Sequence, residues 1–185
     1  MKKTSAILAL LLALGGFSLA SGQYDFALQQ FRDDMKAMGY HILAVSSLSV
    51  RPIFSDQYQN YTWGFNEIGL TCPAGNPGSI DFVGPISLPD GAVIKKVIAL
   101  YYDNNAAADI EIMMGRLYAT DLTEPASMVE FTSEGKGNQD NLRKFSSSNI
   151  LNPTIDNSYV YVLSVSLDSS TDLDVVFRGF WIAYE

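Results

Sequence analysis

From Ile80 to Tyr184 the apolar side chains return at every second position, and that period constrains the fold more than any other feature of the chain. Successive side chains of a strand point to opposite faces, so a sustained period of two means half-buried strands rather than helices. The pattern is clearest near the end. There Tyr159, Tyr161, Leu163, Val165 and Leu167 alternate with Val160, Val162, Ser164 and Ser166, and after Asp168-Ser169-Ser170-Thr171 the alternation resumes through Leu173, Val175, Phe177, Gly179 and Trp181. Counting from Ile80, about seven strands fall at turn spacings of roughly 8–12 residues, with no helices between them to permit parallel pairing. The expected class is mainly β: an antiparallel two-sheet β-sandwich, jelly-roll or immunoglobulin-like in order, preceded by one N-terminal amphipathic helix.

Individual strands follow from the same period. Ile42 to Val50, Tyr61 to Leu70 and Ile80 to Ile86 read as strands, and Pro89-Asp90-Gly91 as a tight turn in which Pro presets φ and Gly takes a positive one. Val93 to Tyr102 is apolar on both faces except at Lys95 and Lys96, while Ile110 to Tyr118 sets Asp109 and Glu111 opposite Ile110 and Ile112. Because Asp103-Asn104-Asn105 is turn-forming, these two strands are expected to pair as a hairpin. Ser127 to Phe131 and Leu142 to Phe145 are weaker and belong at a sheet edge or in an exposed loop.

The chain begins with Lys2 and Lys3, an apolar run from Ala6 to Leu14, then Gly15, Gly16 and the small residues Ser18 to Gly22, the order of a secretory signal peptide. The run is shorter than the roughly 20 residues of a membrane-spanning helix, and no Cys follows the expected cleavage after Ala20 or, alternatively, Gly22. The protein is therefore expected to be exported to the periplasm, cell surface or medium without a transmembrane anchor. Residues 1–20 are assigned to the signal, 21–40 to a helix and 41–185 to the sandwich. In the helix Tyr24, Ala27, Leu28, Phe31, Met35 and Met38 recur at steps of three and four, and Gly39 stands at the C-terminal cap. Such a stripe must bury against its own sandwich or a second copy, which makes a homo-oligomer one expected partner.

Twelve Lys and Arg face twenty Asp and Glu, and the signal carries two of the lysines and none of the acids. An acidic surface repels phosphate backbones, so nucleic acid is not an expected partner. One cysteine, Cys72, excludes an intramolecular disulfide and any multi-cysteine metal site; it is expected to be a buried small hydrophobe, with pairing to a second chain the alternative.

The segment Pro85-Ile86-Ser87-Leu88-Pro89-Asp90-Gly91-Ala92-Val93-Ile94, followed by Tyr101-Tyr102-Asp103, resembles a pattern in uncharacterised secreted bacterial β-sandwich proteins of jelly-roll type. The resemblance implies the fold and transfers no functional residue.

Candidate chemistry is sparse. His41, the single histidine, sits where a helix end meets a strand, with no nucleophile motif around Cys72 or any serine. Asp103, Asn104, Asn105 and Asp109 in one turn, and Asp168, Asp172 and Asp174 in another, supply hard oxygens of the kind Ca²⁺ takes, yet neither matches a calcium loop and both suit ordinary turns. No cofactor and no metal are expected. Asp109 and Glu111 share a strand face in the manner of a hydrolytic carboxylate pair, as do many pairs on exposed sheets. Tyr61, Trp63 and Phe65 alternate along one strand with Tyr58 just before them; three rings on one face make a stacking platform for a glycan, and the same spacing describes a strand facing a core. Those four are the candidate ligand-binding residues, and Asn60-Tyr61-Thr62 is a glycosylation sequon by pattern. The expected function is a non-catalytic exported protein with a structural, adhesive or self-assembling role; a carbohydrate-binding module is the alternative, and an extracellular hydrolase the third reading.

Overall fold

A computed structural model of the chain describes residues 28–53, 64–65, 69–72, 78–118, 121–134, 139–168 and 174–185. The chain divides into two compact units, 1–39 and 40–185. In the first, residues 28–37 form a helix (α1). Phe31 and Met35, one turn apart, are buried, whereas Met38, expected on the same stripe, is 63% exposed because it lies past the last helical residue. Gly39 ends the helix at φ 81° and donates its N–H to Lys36 O at 2.9 Å, the left-handed cap that glycine adopts without a Cβ penalty. Tyr24 and Ala27 lie outside the described residues. No described helix is long and apolar enough to cross a membrane.

The second unit is built from β1 (His41–Ser46), β2 (Arg51–Pro52), β3 (Gly64–Phe65), β4 (Leu70–Thr71), β5 (Ser79–Ile86), β6 (Ile94–Asp103), β7 (Ile110–Tyr118), β8 (Asp121–Thr132), β9 (Gln139–Ser147), β10 (Tyr159–Asp168) and β11 (Val175–Tyr184). Sheet A runs β3-β4-β11-β6-β9, with β1 also paired to β11, and sheet B runs β2-β5-β10-β7-β8. All pairings are antiparallel. From β4 onward the chain visits A, B, A, B, B, A, B, A. Apart from β7 and β8, successive strands thus cross the sandwich, and the order is that of a jelly roll, not of an immunoglobulin domain.

This wrapping overturns the expected hairpin of 93–102 with 110–118. β6 pairs with β11 and β9, and β7 with β10 and β8, so the two strands lie in different sheets. The physical cause is their composition. β6 is apolar on both faces and takes a central place, while β7 alternates and needs one wet face. The turn chemistry is real but spans an arch: Asn105 N donates to Asp103 Oδ1 at 3.2 Å, and Ala107 N to Asn105 Oδ1 at 2.9 Å. The expected strand 42–50 is also interrupted. Ser46 Oγ accepts from Leu48 N at 3.2 Å and caps a single 3-10 turn, Ser47–Ser49, which carries the chain from β1 in sheet A to β2 in sheet B.

Between the sheets, inward residues of β5, β7 and β10 (Ile80, Phe82, Ile110, Met114, Leu163, Val165) meet those of β6 and β11 (Val97, Ala99, Phe177, Phe180, Ile182) in one core. Cys72 is a fully buried member of that cluster. β8 and β9 are sheet edges, though both run longer than the apolar residues suggested; Pro125 within β8 suits an edge strand with an irregular ladder.

Candidate functional site

The outward face of sheet B carries a shallow concavity. Register places Asp81, Ser166, Glu111 and Thr132 in one row across β5, β10, β7 and β8, and Val83, Ser164, Met113 and Glu130 in the next. Each row spans three strand spacings, roughly 14 Å. All of these residues but Val83 line a groove of about 410 Å³, together with Ile112 and Phe131. Its charged groups are the carboxylates of Asp81, Glu111 and Glu130, with the hydroxyls of Thr132, Ser164 and Ser166 between them. Oxygen acceptors therefore dominate, and the potential rejects anions.

The groove continues into a smaller cavity of about 160 Å³ lined by Ser79, Asp109, Glu111, Thr132, Glu134, Ser166 and Asp168. Here the strand ends are locked together. Asp109 N donates to Asp168 Oδ2 at 3.0 Å, Asp168 N to Asp109 O at 3.1 Å, Ser133 Oγ to Asp109 Oδ1 at 3.2 Å, and Ile110 N to Ser133 Oγ at 3.0 Å. Burial raises the Asp109 carboxyl above its ordinary range against the pull of the Ser133 hydrogen bond, and Asp103, Asp168 and Glu134 push it further. Among the described residues no group of three or more His, Cys, Asp or Glu is placed to hold a metal ion.

In the opposite direction the outward positions of β10 turn apolar, from Ser164 to Val162 and the exposed Val160. At the same end of the sheet, but on its core-facing side, stand three aromatic rings and a guanidinium. Tyr118 and Tyr159 are cross-strand partners with ring centroids 4.6 Å apart and planes at 37°, and Arg116 Cζ lies 4.3 Å from the Tyr159 ring centre, a cation–π geometry. The hydrogen bond between the two phenols is the first cause of a raised Tyr159 pKa. Behind them the buried Tyr161 hydroxyl accepts from Asp156 N at 2.8 Å and pins the loop before β10. Ser158 N donates to Asp156 Oδ1 at 2.8 Å, and Asn157 N to Asp90 Oδ1 at 3.1 Å, so the loop is tied to the Pro89–Gly91 turn as well.

The ligand-binding set read from sequence falls almost wholly outside the described residues. Tyr58, Tyr61 and Trp63 lie outside the described residues, as does Asn60, and only the backbone of Phe65 is described, in β3. His41 is exposed on β1 with its ring 5.5 Å from that of Tyr184, a packing contact. Asp109 does not sit on β7 beside Glu111 but just before it, in the network above. Sequence reasoning missed the groove because its residues come from four strands. The signal that existed was the change along outward β10 from valine to serine to aspartate.

No family model matches the chain, and no curated protein matches it. Among solved structures it is similar to the xylan-binding module CBM15, at 14% identity over 78% of this chain and 96% of that one, TM-score 0.46. It is also similar to the C-terminal CBM6 of LamC, a marine laminarinase from Zobellia galactanivorans, at 10% identity over 77% and 98%, TM-score 0.46. A family two carbohydrate esterase from Cellvibrio japonicus matches at 12% identity over 79% of this chain and 34% of that one, TM-score 0.35. Likeness this distant leaves the ligand to be inferred from the residues of this chain alone.

Proposed function

We propose that the protein is an exported, non-catalytic β-sandwich that holds a neutral polysaccharide on the outward face of sheet B. The observation that carries this reading is the 410 Å³ groove, which sets carboxylates and hydroxyls in rows across four strands. Its volume lies within the roughly 300–1,000 Å³ of small-ligand sites. A wall of oxygen acceptors is matched by a ligand rich in hydroxyl donors, and a pyranose chain supplies these together with C–H faces for Met113 and Val162. An anionic polymer would meet only like charge there.

Affinity electrophoresis of the mature chain through gels containing neutral xylans, β-glucans or mannans tests the reading. Retardation is expected in at least one, and Ser166→Phe, which fills the groove from a solvent-facing position, abolishes it without moving the melting temperature. Equal mobility in every gel refutes it. The export half is tested by N-terminal sequencing of protein recovered from a secreting host, which should begin at Ser21 or Gln23.

One observation favours a hydrolytic second reading. Asp81 and Glu111 flank Ser166 from its two neighbouring strands, hence about 10 Å apart at Cα, near the roughly 6.5–9.5 Å between the carboxyls of inverting glycosidases. New reducing ends on prolonged incubation with a retarding polysaccharide, lost in Glu111→Gln, would establish that reading in place of the first.

A further inference from the structure

We propose that the apolar strip beside the groove, on the same outward face of sheet B, receives ester-linked acyl groups, so that the protein prefers an O-acylated neutral polysaccharide to the same polymer without its esters. The inference rests on the glycan reading above and names the class of glycan.

Strand register puts strip and groove on one face. Val160 and Val162 alternate with the core residues Tyr161 and Leu163, as Ser164 and Ser166 do with Val165 and Leu167. The row after Val83, Ser164 and Met113 is Pro85, Val162, Gly115 and Ser127, and the one beyond it pairs Val160 with Leu117. Two residues of strand separate successive rows, so the strip begins about 7 Å from Ser164. Met113 joins the two zones. A Cβ on Gly115 would stand 3.5 Å from Met113 Cε and 3.0 Å from Pro125 Cβ, so the end of the thioether reaches from the groove row to the glycine. The strip is open to solvent: Pro85 is exposed, Val160 is 42% exposed, and Val162 and Leu117 are half-buried.

The change of chemistry between adjacent rows selects the occupant. The groove supplies carboxylate and hydroxyl oxygens, which accept from free sugar hydroxyls. In the two rows of the strip Ser127, at the β8 edge, is the one polar side chain. A sugar hydroxyl pressed against the valines gives up its hydrogen bond to water without a replacement. An ester removes that donor and presents a methyl, which Val160, Val162 and Leu117 can take out of water. Free hydroxyls facing the carboxylates and esters facing the valines therefore satisfy both zones, whereas a bare polymer satisfies the groove alone.

Affinity electrophoresis of the full mature protein through gels of one neutral polysaccharide, O-acetylated in one gel and freed of its esters by mild alkali in the other, provides the test. The acetylated form is expected to bind about fourfold tighter for each ester methyl buried, the effect of one apolar carbon leaving water. Val160→Thr combined with Val162→Thr puts hydroxyls on the strip at nearly constant shape, and should bring the two forms to equal affinity while the deacetylated polymer binds at least as well as before. Pro85→Thr, on the neighbouring strand, is a separate variant for the same narrowing. Equal retardation of the wild type by both forms, or a preference that survives in both variants, overturns this inference and, with Ser166→Phe still inactive, leaves the groove reading standing. Failure of the wild type to be retarded by either form of any polysaccharide removes both. Melting curves of the variants, expected to overlay the wild type, separate a lost contact from a lost fold.

Discussion

On β6 and β11 several side chains that point away from the core are as buried as those that point into it: Ile98 and Leu100 are 2% exposed, and Val176 and Ala183 are fully buried, yet none belongs to the central cluster, while Lys96, Tyr102, Arg178 and Trp181 on the same face are half-buried. On β10 and β7 the outward positions, Ser164, Ser166, Glu111 and Met113, keep contact with water. The sandwich thus has one sheet whose central strands bury apolar side chains on both sides and one amphipathic sheet. That difference places solvent-facing chemistry on sheet B and reserves the outward face of sheet A for packing.

The sharpest way to break this comparison is to truncate matched outward residues. Leu100→Ala is expected to cost about 2–5 kcal/mol, the range for emptying a buried leucine site, and Met113→Ala less than about 1 kcal/mol. Urea unfolding gives both numbers from the shift in midpoint at constant slope. Similar small losses in the two variants would mean that the outward face of sheet A is not effectively covered.

Backbone spacing should divide the sheets in the same sense. A Cβ on Gly69 would run into the Phe177 carbonyl and approach Arg178 Cα to 3.0 Å, all backbone beside the bulge of β11. Gly69→Ala must therefore push β4 off its partner and is expected to cost roughly 1–3 kcal/mol. At Gly115 in sheet B the first obstacle is the Pro125 side chain at 3.0 Å on an edge strand that can yield, so Gly115→Ala should cost less. Thermal melts of the pair decide the order.

What the sequence discloses about this sandwich depends on which force writes the signal. Alternation from Ser79 to Tyr184 is legible because burying one face of a strand demands it, and Gly91 at φ 76° is legible because only a glycine turn fits there cheaply. Partners are another matter. Asp103-Asn104-Asn105 makes the same side-chain to backbone bonds whether it closes a hairpin or arches between sheets, so β6 and β7 could not be assigned by turn chemistry. The groove inherits that difficulty. Ser166 shows on its own strand, but its meeting with Asp81 and Glu111 is a fact of register. The edge strands were underestimated because their outward residues are polar and Pro125 interrupts the apolar count.

Among surface changes on sheet B, Ser166→Phe and Glu111→Gln should leave stability within about 0.5 kcal/mol while altering retention by polysaccharide. The same experiment on the outward face of sheet A, with Ala183→Phe, should do the reverse: loss of fold first, with binding affected only through it. Parallel melts and retardation assays sharpen the division between a packing face and a ligand face.

The smallest effect concerns the cavity where the strand ends of sheet B meet. Asp109 has its carboxyl raised by burial and by Asp103, Asp168 and Glu134, so the folded state holds this proton more tightly than the unfolded chain does. Stability must then fall, from this group, as pH rises through the ordinary carboxylate range, and the deficit persists at neutral pH. Asp109→Asn keeps an oxygen for the Ser133 hydroxyl and removes the charge, so it should leave the protein at pH 7 equal to or a few tenths of a kcal/mol more stable than wild type. In acid the advantage should shrink, because the wild-type carboxylate then takes up its proton. Asp156 runs the other way: the backbone and hydroxyl of Ser158 hold its carboxyl below the usual range, so its contribution is present above that range and is lost as pH falls. Asp156→Asn should therefore be less stable than wild type at pH 7 and converge with it in acid. Melting temperatures of the two variants across pH 3–8 should show trends of opposite sign, and parallel trends would contradict the assignment of one carboxylate as repelled and the other as held.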